Sequence, residues 1–182
     1  MSNLKINMNN FEDVLKSLES QTLRVCVIGI GRIGLPTALS FAKSGLETIG
    51  VDINKNLVDD INSGKFPLKD EPGYDEIFDT VIKNKKFSAT TSIEDGVPNS
   101  NLILLSLPTP MDENNVPDYS ALKTVASQLS DILSPNSLVI VESTIEPGFI
   151  EDEMVPIISR SGRLNAEKNF FIGVCPENAN PG

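Results

Sequence analysis

A chain of 182 residues with 40% apolar content can bury one core and needs no second. Its 25 acidic residues outnumber 15 basic ones, and the net charge of -10 is spread along the chain, which argues against nucleic acid or an anionic membrane as its main partner. It has no histidine, so Ser-His-Asp and Cys-His nucleophile activation are closed to it, the commonest metal ligand is missing and no metal site is expected, and acid-base work falls to Glu, Asp, Lys or water.

No apolar run approaches the ~20 residues of a membrane span, and the polar start MSNLKINMNN lacks a signal-peptide core, so no membrane association and a cytoplasmic location are expected. Residues 1–22 read as a helical extension. NFEDVLKSLES predicts a short helix capped by Asn10, with Phe11, Val14, Leu15 and Leu18 on one side to pack on the domain or on a neighbouring subunit. The β-branched run at 23–29 predicts a strand buried on both faces, followed by a helix from Ile33 to Lys43 that stops at Gly45. ETIGVD (47–52) predicts a second strand ending on an acid, and Leu57, Val58 and Ile61 mark a helix over 54–62 stopped by Gly64.

A helix over 71–84 with Ile77, Phe78, Val81 and Ile82 inward is expected next, then a short strand over 87–90 and the apolar strand LILLSL over 102–107. Asp118 is read as the N-cap of a helix carrying Leu122, Val125, Ala126, Leu129, Ile132 and Leu133. SLVIVES (137–143) predicts a fifth strand, Pro147 a helix start running through Ile158, and FFIGVC (170–175) a sixth strand. Cys26 and Cys175 each lie in an apolar run, which predicts packed, reduced thiols and no disulfide.

Apolar strands alternating with helices predict an α/β fold: a doubly wound, Rossmann-type parallel sheet with helices on both faces, over 23–182. Ligands of such sheets bind beyond the carboxyl ends of the strands, where this sequence collects its distinctive residues. In GIGRIG, Gly29 permits a tight turn, Gly31 lets the backbone approach a pyrophosphate and Gly34 permits close packing of helix and strand, with the helix amino end facing the anion. Asp52 closes the next strand, where a carboxylate accepts hydrogen bonds from an adenosine ribose and repels a 2'-phosphate, so NAD is favoured over NADP.

Other positions stay open on residues alone. Arg32 is a phosphate contact, a lever toward NADP, or a solvated side chain. In SLPTP the prolines fix the Thr109 hydroxyl, either over the cofactor or in a plain loop stop. Ser143 and Thr144 are site residues or a helix cap, and Glu177 is a base or a solvated acid.

Taken together, GIGRIGLP, VDIN, the EPG of 71–73, SLPTP with PDYSAL, VESTIEPG and CPENANPG resemble the amino-terminal NAD-binding domain of the UDP-glucose/GDP-mannose dehydrogenase family. Glu142, standing where the UDP-glucose enzymes tend to carry lysine, and the PExxxPG pattern of PENANPG are similar to the UDP-N-acetylhexosamine branch, including UDP-N-acetyl-D-mannosamine dehydrogenase. The resemblance implies a four-electron oxidation of a sugar's terminal hydroxymethyl group to a carboxylate with two NAD, through an aldehyde captured by a cysteine and a thioester that water hydrolyses. It implies that Arg32, Ile33, Asp52, Thr109 and Thr144 line NAD, with Thr144 also near the reacting water. Glu177 would then be the acid-base residue, and Glu177, Asn178 and Ala179 would face the nucleotide sugar.

The pattern departs at Leu57, where the family often has a basic residue; at Phe149 and Ile150, where it usually has threonines; and at Arg32, where a tyrosine or similar residue is common. Family members are more than twice as long and hold the nucleophilic cysteine in a later part; neither Cys26 nor Cys175 fits that role. The 182 residues are therefore expected to bind NAD without catalysing, as a piece of a longer enzyme that lacks the central helix and the substrate domain, the full-length protein being a homo-oligomer. UDP-glucose 6-dehydrogenase and a stand-alone NAD-sensing module are the alternatives.

Overall fold

The computed structural model describes residues 6–8, 10–68, 73–166 and 168–176. Six strands, β1 (Arg24–Ile28), β2 (Glu47–Val51), β3 (Phe87–Thr90), β4 (Leu102–Leu105), β5 (Ser137–Val141) and β6 (Phe170–Val174), form one sheet in the order β3-β2-β1-β4-β5-β6. Every neighbouring pair is parallel; Val25 lies opposite both Thr48 of β2 and Leu102 of β4. The chain runs outward from β1 to β3, then crosses back to lay β4 against the other side of β1. That reversal opens a crevice at the carboxyl ends of β1 and β4.

Side chains along a strand alternate between the two faces, and here both faces are apolar. Val25, Val27 and Leu104 face α2 (Gly34–Lys43), α3 (Lys55–Asn62) and α4 (Tyr74–Lys83), which contribute Leu35, Leu39, Val58, Ile61 and Phe78 to that core. Cys26, Ile28, Ile103, Leu105 and Val139 face the other way, toward α5 (Ile93–Gly96), α6 (Ser120–Ile132) and α7 (Val155–Ser159). The doubly wound sheet expected from the sequence is what forms. Cys26 is packed as expected, and burial pushes its thiol up to about 12; Cys175 is not packed but exposed, because it follows the edge strand β6. We therefore expect a thiol reagent at pH 8 to modify Cys175 in the folded chain and to reach Cys26 only in denaturant, as a thiol count by absorbance or mass will show.

Local differences from the expected elements have local causes. Asp118 is not the cap of α6. Tyr119 holds the cap position, while Asp118 Oδ1 accepts the Ser120 N–H at 2.8 Å from one residue further out, a bond that holds the Asp118 carboxyl below the usual carboxylate range. Pro147 does not open a helix, because Gly148 follows it at φ +88°, outside the helical region. The helix begins instead with a π-helical turn over Ile150–Met154 that leads into α7. The helix over 71–84 starts at Tyr74, residues 71 and 72 lying outside the described ones. The single turn α5, capped by Ser92, is too short to carry a helical period in the sequence.

The extension folds as α1 (Phe11–Glu19), with Asn10 Oδ1 accepting the N–H groups of Glu12 and Asp13 as expected of its cap. Of the apolar side expected to pack on the domain or on a neighbouring subunit, the domain receives only part. Val14 packs against the core and Ser17 is buried, tied by its carbonyl to the amides of Thr22 and Leu23, while Phe11 is 78% exposed and Leu15 and Leu18 are also exposed. Among the described residues no helix is long and apolar enough to cross a membrane.

Candidate nucleotide site

The glycine loop leaves β1 through a turn whose shape is set by what surrounds it. Gly29 has φ +87°, and a Cβ on it would lie 2.5 Å from Ser106 O, so neither the backbone angle nor the space admits a side chain. A Cβ on Gly34 would lie 1.9 Å from Gly29 O and 3.0 Å from Ser106 Cβ; the first turn of α2 therefore rests directly on the loop. Gly31 is exposed, with nothing within 4 Å of its Cβ position, so its backbone is open to an incoming group. Gly29 makes the tight turn and Gly34 the close packing, and Gly31 leaves an open backbone.

At the amino end of α2, Ile33 stands at the cap position without a capping side chain, and the first turn holds no acid. The amino end of a helix carries partial positive charge and N–H groups in need of acceptors. Flanked by the open backbone at Gly31, this end can hold a phosphate-sized anion. Arg32 is exposed beside it.

Asp52, half-buried just past β2, is bound into the same cradle. Its Oδ2 accepts the Ile30 N–H at 3.0 Å and its Oδ1 the Asn54 N–H at 2.9 Å. Each oxygen retains a further acceptor direction for a hydroxyl group. The contact with Ile30 is invisible in the sequence: the only hint is that an acid closing β2 ends level with the loop closing β1.

Across the crevice, Ser143 is buried and ties the chain beyond β4 to the chain beyond β5. Its Oγ donates to Leu107 O at 2.6 Å and accepts the Leu107 N–H at 3.1 Å. Of the readings left open for it, helix capping is not what it does. Thr109 Oγ1 donates to Thr144 O at 3.2 Å, so the SLPTP turn is locked to the VEST turn, with the Thr144 side chain exposed at the crest. Sequence reasoning gave no task to Ser106, which donates its hydroxyl hydrogen to Glu142 Oε2 while its backbone packs on the glycine loop.

Gly29, Gly31, Arg32, Ile33, Gly34, Asp52, Thr109 and Thr144 thus all lie along the carboxyl edge of one sheet. Glu177, Asn178 and Ala179 lie outside the described residues. Among the described residues no group of three His, Cys, Asp or Glu side chains could hold a metal ion.

Residues 23–182 match the UDP-glucose/GDP-mannose dehydrogenase family, NAD binding domain. The UDP-N-acetyl-D-mannosamine dehydrogenase of Campylobacter jejuni is 35% identical over 170 residues, which are 90% of this chain and 40% of that protein. The solved structure of the corresponding enzyme from Pyrococcus horikoshii superposes with a TM-score of 0.80 at 34% identity, covering 88% of this chain and 37% of that one. A ternary complex of GDP-mannose dehydrogenase from Pseudomonas aeruginosa gives a TM-score of 0.81 at 27% identity, covering 87% and 37%. The chain spans well under half the length of these relatives.

Proposed function

This chain belongs to the UDP-glucose/GDP-mannose dehydrogenase family, whose NAD binding domain it matches, and on that premise we propose that it is the cofactor half of a nucleotide-sugar 6-dehydrogenase. The substrate proposed is a UDP-N-acetylhexosamine, UDP-N-acetyl-D-mannosamine first, with its terminal hydroxymethyl group oxidised to a carboxylate. The names of the relatives support this sugar, as do Glu142 ahead of Ser143-Thr144 and the PENANPG pattern. The backbone is a poor guide to the sugar, since a GDP-mannose enzyme superposes as well as a UDP-N-acetylmannosamine enzyme does.

The cofactor is NAD, and the observation that carries the reading is the cradle, with its helix end uncapped and its Gly31 face open. The backbone at Gly31, Arg32 and Ile33 and the start of α2 take the pyrophosphate; Asp52 takes the adenosine ribose. When bound, NAD supplies the hydride acceptor. The chain's own groups orient it: Gly34 seats the helix on the loop, Thr109 and Thr144 brace the crest beyond β4 and β5, and Asp52 repels a 2'-phosphate. Glu177 serves as the acid-base residue for the water step, and Asn178 and Ala179 meet the nucleotide sugar. The catalytic cysteine comes from outside these 182 residues, so the chain alone binds without turning over.

Isothermal titration of the chain with NAD and NADP tests the cofactor reading. NAD is expected to bind at least about tenfold tighter, the consequence of setting a carboxylate against a doubly charged phosphate. Binding of NADP without NAD would overturn it. Turnover of UDP-N-acetyl-D-mannosamine, UDP-N-acetyl-D-glucosamine and UDP-glucose by the polypeptide that the reading frame encodes separates the sugars.

A further inference from the structure

The proposed function leaves Glu142 without a task. Glu142 follows β5 directly, is half-buried, and its N–H is held by Leu105 O at 3.0 Å. The Ser106 hydroxyl donates to Oε2, and Ser106 itself is wedged against the glycine loop, 2.5 Å from where a Gly29 Cβ would lie. A carboxylate fixed at both backbone and side chain keeps its charge in one place along the crest. That crest runs from Asp52 after β2, through the loop after β1, to Ser106 after β4 and Glu142 after β5.

A dinucleotide with its ribose at Asp52 and its pyrophosphate at the loop continues past the reversal of strand order, toward β4 and β5. Its nicotinamide half then shares that side with Glu142. The ring is a pyridinium cation in NAD+ and an uncharged dihydropyridine in NADH. A fixed anion nearby therefore attracts one redox form and is indifferent to the other.

We propose that Glu142 is a specificity-determining residue that favours binding of NAD+ over NADH, an inference that rests on the cofactor placement proposed above. Its value lies in exchange: a site that takes up two NAD+ in succession must let the reduced cofactor go between them.

Titration of the wild-type chain and Glu142→Gln with NAD+, NADH and ADP-ribose tests this, because Gln keeps an acceptor for Ser106 while removing the charge. Glu142→Gln is expected to weaken NAD+ by about three- to tenfold, leaving NADH and ADP-ribose within about twofold. Glu142→Asp, which keeps the charge, is expected to hold the wild-type NAD+/NADH affinity ratio within about twofold and serves if the Gln variant folds poorly. Equal weakening of all three nucleotides, or a ratio lost in the Asp variant, would mean a scaffold role and overturn the proposal. An unchanged ratio in Glu142→Gln with ADP-ribose still bound would overturn it while leaving the cofactor reading intact. A wild-type chain that binds none of the three would overturn both.

Discussion

Replacing Gly34 with alanine is expected to destabilise the fold by about 3 kcal/mol, although alanine is the better helix former by about 1 kcal/mol. The added methyl carbon would sit 1.9 Å from Gly29 O, well inside contact distance, with Ser106 Cβ on another side at 3.0 Å. Neither neighbour can move freely. Gly29 is held by its own N–H on Val51 O at 2.8 Å, and Ser106 by its N–H on Ile28 O at 2.9 Å. Relief would require lifting α2 off β1 and unpacking the apolar face built on Leu35, Ala38 and Leu39. Urea denaturation followed by circular dichroism measures the loss, and the melting temperature should fall by roughly 6–12 °C. Gly31→Ala is the matched control: its Cβ meets no atom within 4 Å, so stability should stay within about 0.5 kcal/mol while NAD binding weakens. Equal stability of the two variants would contradict this account of the loop.

Asp52→Ala is expected to weaken NAD by about thirtyfold and to cost about 1–2 kcal/mol of stability in the absence of nucleotide. Three losses are superposed. The ribose loses its acceptor, and the N–H groups of the fully buried Ile30 and of the exposed Asn54 lose theirs. Asp52→Asn separates them in part: its amide oxygen can still accept from Ile30 but its NH2 cannot accept from Asn54, so stability should return only partly, while removal of the charge relaxes discrimination against NADP. Titration of both variants with NAD and NADP, and their denaturation, measure these effects. An Asn variant as unstable as the Ala variant would show that the charge, and not the acceptor, holds the loop.

The glycine loop and Asp52 were legible in the sequence because each rule behind them is local: an apolar run, a turn, a helix start, an acid one strand later. The tight turn at Gly29 and the close packing at Gly34 were legible for the same reason. Residues alone leave Ser143 open between site and cap, because its partner, Leu107, lies 36 residues away on the neighbouring strand end. Ser106 gave no signal at all, since its importance comes from lying between the loop and Glu142. The late start of the helix after Pro147 was foreseeable, as the glycine behind the proline at 148 was there to be weighed. The outward stripe of α1 was not, because periodicity marks an apolar face without saying which way it turns.

The crossing of the chain over its own first strand has a consequence for synthesis. β1 finds one neighbour, β2, almost at once, but the other, β4, lies far downstream: the Arg24 N–H reaches its partner, the Asn101 side chain, across 77 residues. At roughly 5–20 residues per second, a ribosome leaves that edge of β1 bare for about 4–15 seconds. During that interval Val25, Cys26 and Val27 present an apolar ladder with open amides, a surface that aggregation or a chaperone can claim before the cradle exists.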